Sequence, residues 1–101
     1  MGETTRYALR ISTETEGDRL KVVPYIEASD AAALRYEVIS RKEGPSGTAS
    51  TRQAGSVQVA CCAPAAASQL TLRVRREDRY VITVRLYAAG RQVAERTVIY
   101  P

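Results

Sequence analysis

Two kinds of residue in this chain could do chemistry: the adjacent thiols Cys61-Cys62, and arginines that outnumber lysines 13 to 2. Neighbouring Cα atoms lie about 3.8 Å apart, short of the usual disulfide span, and successive side chains on a strand point to opposite faces. Two free thiols are therefore expected, with Cys61 turned inward beside Val57 and Val59; a redox pair or an intermolecular disulfide is the alternative. Two sulfurs without other soft ligands nearby make a poor metal site. Histidine is absent, which removes Ser-His-Asp and Cys-His catalysis and the common His-containing zinc sites. No Gly-rich phosphate loop, paired-carboxylate cleft motif or calcium-loop spacing occurs. The chain reads as no enzyme, with no cofactor and no metal.

The formal charge of +4 is unevenly spread. Residues 68–91 hold six arginines against Glu77 and Asp78, whereas residues 1–18 are net acidic. A guanidinium grips a carboxylate with a planar fork, so an acidic polypeptide suits such a surface. A solvated face that only keeps the protein soluble is the alternative. Tyr25, Tyr87 and the arginine rows could imitate a nucleic-acid surface, but no RNA-binding signature is present and Glu27, Glu37, Glu77 and Asp78 interrupt the basic rows. The expected partner is a protein, not a nucleic acid or a membrane; a generic sandwich module that binds another protein or a nucleic acid through its basic face is the alternative reading.

The elements that must position these residues are strands. In Ser68–Arg96, Leu70, Leu72 and Val74 alternate with Thr71, Arg73 and Arg75. Then Tyr80, Ile82, Val84 and Leu86 alternate with Val81, Thr83, Arg85 and Tyr87. A period of two sustained over this length means half-buried β-strands. Arg76-Glu77-Asp78-Arg79 joins the two runs, read here as a central hairpin, and Ala89-Gly90 turns the chain into a last strand. The register of that last strand, 91–100, is open because both its faces are mixed. Tyr80, just past a charged corner, suits a tyrosine corner of the kind seen in immunoglobulin-like sandwiches; an ordinary core tyrosine is the alternative.

Earlier in the chain, Tyr7, Leu9 and Ile11 mark one strand and Leu20, Val22 and Ile26 a second. The turn Thr15–Asp18 makes them a hairpin. Pro24 cannot donate to a ladder, which argues for an edge or a bulge. Leu34, Tyr36 and Val38 define a third strand with Arg35, Glu37, Ile39 and Arg41 on its other face. Glu43-Gly44-Pro45-Ser46-Gly47 is a loop signal. Thr48–Gln53 reads as a short polar edge strand, Gly55 as its punctuation, Val57–Cys61 as a fifth strand and Ala63–Ala67 as a loop. With 101 residues, the chain is expected to form one all-β domain, an immunoglobulin-like β-sandwich of about seven to eight antiparallel strands, monomeric. An open barrel is the main competing architecture. No apolar run is long enough to cross a bilayer as a helix, and Met1–Thr4 lacks the regions of a secretory leader.

The chain resembles the curli-assembly family of CsgC and CsgH over most of its length. The likeness runs from Gly17-Asp18 through Val22-Val23-Pro24 and Arg35-Tyr36-Glu37-Val38 to the corner Arg41-Lys42-Glu43-Gly44-Pro45-Ser46-Gly47. It continues through the Leu70-Leu72 strand and Asp78-Arg79-Tyr80-Val81-Ile82. The resemblance implies a periplasmic, chaperone-like inhibitor that keeps curli amyloid subunits from polymerising too early, and a leader missing from these letters. The CsgC branch carries a Cys-x-Cys that aligns with Ala32-Ala33-Leu34, so its redox function does not carry over and the likeness points to the CsgH branch. On this reading unfolded subunits meet an arginine-rich face led by Arg73, Arg75 and Arg85, expected on neighbouring strands, with Arg35 and Arg41 joining if the third strand shares their sheet. Strand addition along the Thr48–Gln53 edge is a second mode.

Overall fold

The computed structural model describes residues 5–45 and 47–101; Met1–Thr4 and Ser46 of the proline corner lie outside them. Eight antiparallel strands form two four-stranded sheets: β1 (Tyr7–Glu16), β2 (Arg19–Ala28), β3 (Ala32–Gly44), β4 (Gly47–Val59), β5 (Ala65–Ala66), β6 (Leu70–Arg73), β7 (Arg79–Ala88) and β8 (Arg91–Tyr100). One sheet runs β1-β2, with β5 and β6 sharing the far side of β2; the other runs β4-β3-β7-β8. Leu20, Val22 and Ile26 from the first sheet meet Leu34, Val38, Ile82, Val84 and Leu86 from the second in one buried cluster. Alternation dictates this, because a half-buried strand sends every second side chain into the space between the sheets.

The β1–β2 hairpin closes as expected, with Glu16 opposite Arg19 and Gly17 at φ 62°, a left-handed conformation open to glycine. Pro24 overturns the edge-or-bulge expectation: it is buried in the central strand of its sheet. Its carbonyl accepts from Ala67 N–H at 2.9 Å, so its nitrogen faces the same side. There the partner is interrupted between β5, opposite Tyr25 and Ile26, and β6, opposite residues 19–22. The missing N–H therefore costs no bond to β1.

Gly55 does not punctuate, because β4 is one continuous strand. Gly55 lies opposite Tyr36, whose ring covers it; a Cβ there would sit 2.6 Å from the Tyr36 hydroxyl. Gly55→Ala is expected to push the Tyr36 ring off its rotamer and cost about 0.5–1.5 kcal/mol, read as a lower urea midpoint with a changed near-UV tyrosine signal. The loop signal at the proline corner falls where β3 gives way to β4, with Gly44 paired to Gly47. Ala65–Ala66 form a short strand on β2 where a loop was expected.

Leu70–Arg73 and Tyr80–Leu86 do not form a hairpin. β6 pairs with β2 and β7 pairs with β3, so Arg76–Arg79 carries the chain from one sheet to the other. Tyr80 ties this crossover. Its hydroxyl donates to the Arg73 carbonyl and accepts from the Arg75 N–H, both at 3.2 Å, which is the tyrosine-corner arrangement. Beside it Asp78 is buried at 3% exposure, with Lys42 Nζ 3.8 Å away.

The last strand's mixed faces come from a bulge between Leu86 and Tyr87. It shifts the register by one residue, so that Ala94 opposes Leu86 while Gln92 opposes Tyr87. Ala89 and Gly90, both at positive φ, make the two-residue turn that feeds it.

Candidate protein-binding face

Strand parity carries Arg35, Glu37, Ile39 and Arg41 of β3 to the outer face of the second sheet. Register then sets Tyr87 beside Arg35, Arg85 beside Glu37 and Val81 beside Arg41 on β7. β8 adds Glu95 opposite Arg85 and Ile99 opposite Val81, and β4 adds Arg52 opposite Ile39. Three of the five predicted arginines, Arg35, Arg41 and Arg85, therefore share this face.

Arg73 and Arg75 are not on a strand beside Arg85, which corrects the sequence expectation. Arg73 belongs to β6, on the opposite sheet, and Arg75 follows its end. The cause is the crossover at Arg76–Arg79: strand parity predicted that these side chains face solvent, as they do, but parity carries no information about which sheet a strand joins.

The face is built around Glu37. Its side chain points outward yet is only 11% exposed, because Arg52 and Arg85 both ion-pair with it, Arg85 Nη1 at 3.3 Å. Arg85 also donates from Nε to Glu95 at 2.8 Å. The hydrogen bond to Glu95 chiefly raises the Arg85 pKa above its ordinary value, with Glu37 adding to it and desolvation opposing it. Arg85 is thus charged throughout any working pH range. A pKa raised in the fold contributes stability below the unfolded value, wherever the glutamates are ionised, and loses it as pH climbs past the folded value, here in strong alkali.

The other arginines are held more loosely. Arg41 Nε lies 3.1 Å from Glu43, and Arg73 Nε lies 3.4 Å from Asp18, all with well-exposed side chains. Exposed pairs of this kind contribute about 0–1 kcal/mol, so an incoming carboxylate can replace the internal one at small cost. Arg35 and Arg75 have no ion-pair partner among the described residues. Arg35 borders a shallow depression of about 300 Å³ shared with Tyr36, Glu37, Arg52 and Tyr87. Sequence reading missed Arg52, since Thr48–Ala54 contains no large apolar residue to fix which way each side chain points.

Cys61 and Cys62 are joined by a disulfide and both are exposed, which overturns the expectation of free thiols with Cys61 inward. The premise of strand geometry fails there: β4 ends at Val59, and Cys62 turns into the left-handed region at φ 71°. The two side chains are then not forced to opposite faces. Among the described residues no cluster of His, Cys, Asp and Glu could hold a metal ion.

Two facing antiparallel sheets, a tyrosine tie across their crossover and a basic outer face define an eight-stranded β-sandwich. Within that class the chain belongs to the Tafi-CsgC family, described as thin aggregative fimbriae synthesis protein, whose model matches residues 6–93. It is 26% identical over 76 residues to the curli assembly protein CsgC of Escherichia coli K12, an alignment that spans 75% of this chain and 69% of that one. The fold is shared with the solution structure of R. palustris CsgH, at a TM-score of 0.71 and 16% identity over 94% of this chain and 91% of that one. It is shared equally with the E. coli curli protein CsgC in its SeCys form, at 0.71 and 22% over 97% and 99%.

Proposed function

We propose that this protein acts in curli assembly as a periplasmic, chaperone-like inhibitor that delays amyloid polymerisation of curli subunits through transient, electrostatically guided binding. Membership of the family and the naming of its relatives as curli assembly proteins support the pathway. One observation carries the mechanism: on the outer face of the β4-β3-β7-β8 sheet, Arg35, Arg41, Arg52, Arg79 and Arg85 outnumber Glu37, Glu43 and Glu95, around the apolar Ile39, Val81 and Ile99. A net positive field draws an acidic, unfolded chain, and the apolar strip gives it a weak foothold. Bound monomer is withheld from the strand stacking that nucleates fibrils. Arg35 and Arg41 lead as contacts because their guanidiniums are unpaired or cheaply released. Arg85, gripped by two glutamates, mainly sets the face, and Arg73 and Arg75 serve a client that wraps to the other sheet.

Fibril-formation kinetics of a curli subunit with sub-stoichiometric protein test this. The unmodified protein is expected to lengthen the lag, R35E/R41E to lose most of that effect and R73E/R75E to keep most of it. E37Q is expected to lengthen the lag further, because it removes the anion that holds Arg52 and Arg85. Raising salt from 0.1 M to 1 M cuts the Debye length from about 10 Å to about 3 Å and should abolish the delay. No delay with the unmodified protein rejects the inhibitor function, whereas equal delay by R35E/R41E rejects the face.

A second reading rests on β4, an edge strand whose residues 47–54 are all exposed. A client strand could add to its free edge through backbone hydrogen bonds. Delay that survives 1 M salt and the arginine reversals together would favour the edge.

A further inference from the structure

Cys61 and Cys62 sit where the chain leaves β4 for the other sheet, and their bond is a poor structural brace. A disulfide stabilises chiefly by closing a loop in the unfolded chain, and the benefit grows with loop length. This one joins neighbours whose Cα atoms are 3.7 Å apart, so it ties no separate elements together. Both sulfur-bearing residues are exposed, and Cys62 lies at the rim of a cleft of about 270 Å³ with Arg6, Tyr7, Glu27 and Ser29.

The surrounding backbone is ready for both oxidation states. Cys62 N–H donates to the Ala28 carbonyl at 2.9 Å, and Cys61 forms an isolated bridge with Ala28. Cys61 Sγ lies 3.2 Å from the Ser29 carbonyl oxygen. A disulfide sulfur has no proton to give, so this is only a contact while the bond is intact. Once reduced, the Cys61 thiol meets an acceptor already in place.

We propose that Cys61–Cys62 is a thiol–disulfide exchange site that takes two electrons from a dithiol reductant. A thiolate of the reductant attacks Cys62 Sγ at the cleft, forming a mixed disulfide and expelling Cys61 as a thiolate, which takes up a proton from water. Arg6 and Glu27 both line this cleft, so their charges offset and access to the sulfur, not attraction, sets the approach. The reductant's second thiol, deprotonated, then attacks its own sulfur in the mixed disulfide and releases Cys62, which is protonated in turn. The bridge has become two thiols, and the dithiol has become a disulfide. Reduction is expected to leave the sandwich folded, because the bond joins neighbours and ties no separate elements together.

The test is alkylation of the native full chain with iodoacetamide, before and after dithiothreitol, read by mass spectrometry. No adduct before and two after, with an unchanged far-UV spectrum and reversal by oxidised dithiothreitol, support the site. Reduced protein should also bind phenylarsine oxide one to one, as a vicinal dithiol does. The C61S/C62S variant should fold with an unchanged urea midpoint and take up neither reagent. Adducts before reductant, labelling only in denaturant, or a fallen urea midpoint in C61S/C62S would each overturn the proposal.

Discussion

Gly44→Ala is expected to destabilise the protein by about 3 kcal/mol, the upper range for forcing extra atoms into a packed site, and to lower Tm by well over about 10 °C. A Cβ on Gly44 would fall inside the Asp78 carboxylate and lie 2.8 Å from its Cγ. Asp78 cannot simply step aside, because it is 3% exposed and Lys42 is its counter-ion at 3.8 Å; neither carboxylate oxygen has a hydrogen-bond partner among the described residues. Displacing the carboxylate would separate a buried anion from its cation, a costly event in low dielectric. The diagnostic comparison is a double-mutant cycle. Asp78→Gly alone should cost little, since it removes an unsatisfied buried carboxylate and leaves Lys42 a route to water. In that background Gly44→Ala should cost under about 1 kcal/mol, because coupling of this size is confined to touching pairs. An equal cost in both backgrounds, measured by urea unfolding, would falsify the steric account.

That contact joins two segments the sequence presents as unrelated. The Arg-Lys-Glu-Gly corner ends β3, and Asp78-Arg79-Tyr80 opens β7; the register sets Lys42 opposite Tyr80 and Glu43 opposite Arg79. This stretch of the family resemblance and the tyrosine corner thus form one physical unit at the crossover.

How far the letters reached depended on whether a residue's phase could be read locally. Alternation in 7–11, 20–26 and 80–86 fixed which side chains enter the core, because burial of one face is a strong local signal. The all-polar start of β4 carried no such phase, so one strand was divided at Gly55 and Arg52 was overlooked. The tolerance of Pro24 is not legible locally, because it depends on a gap between β5 and β6, more than forty residues away in the chain. The candidate face shows the same divide. Outward placement of Arg35, Arg41 and Arg85 was legible, but the pairing of Arg85 with Glu37 spans 48 positions and follows only from strand order. The disulfide is illegible from strand spacing because the extended geometry ends at Val59, and the chain has already turned at Cys62.

Tyr80→Ala should be as damaging as any single core truncation, at about 3–5 kcal/mol, and Tyr80→Phe separates the two halves of that cost. The ring is 3% exposed, so Phe retains its burial and removes only the hydroxyl. Two groups then lose their partner, the Arg75 N–H and the Arg73 carbonyl. Leaving partly buried backbone groups unpaired costs about 1–3 kcal/mol, and that is the loss expected for Tyr80→Phe in urea unfolding. The damage should be localised: amide exchange at Arg75 should accelerate, while the Ile82 and Val84 amides follow only the global change. Because β6 and β7 lie in different sheets, the hydroxyl is what fixes the chain between them, and Arg73 and Arg75 ride on that segment. If Tyr80→Phe unfolds at the same urea concentration as the unmodified protein, the hydroxyl holds nothing, and the order of this crossover must come from side-chain packing alone.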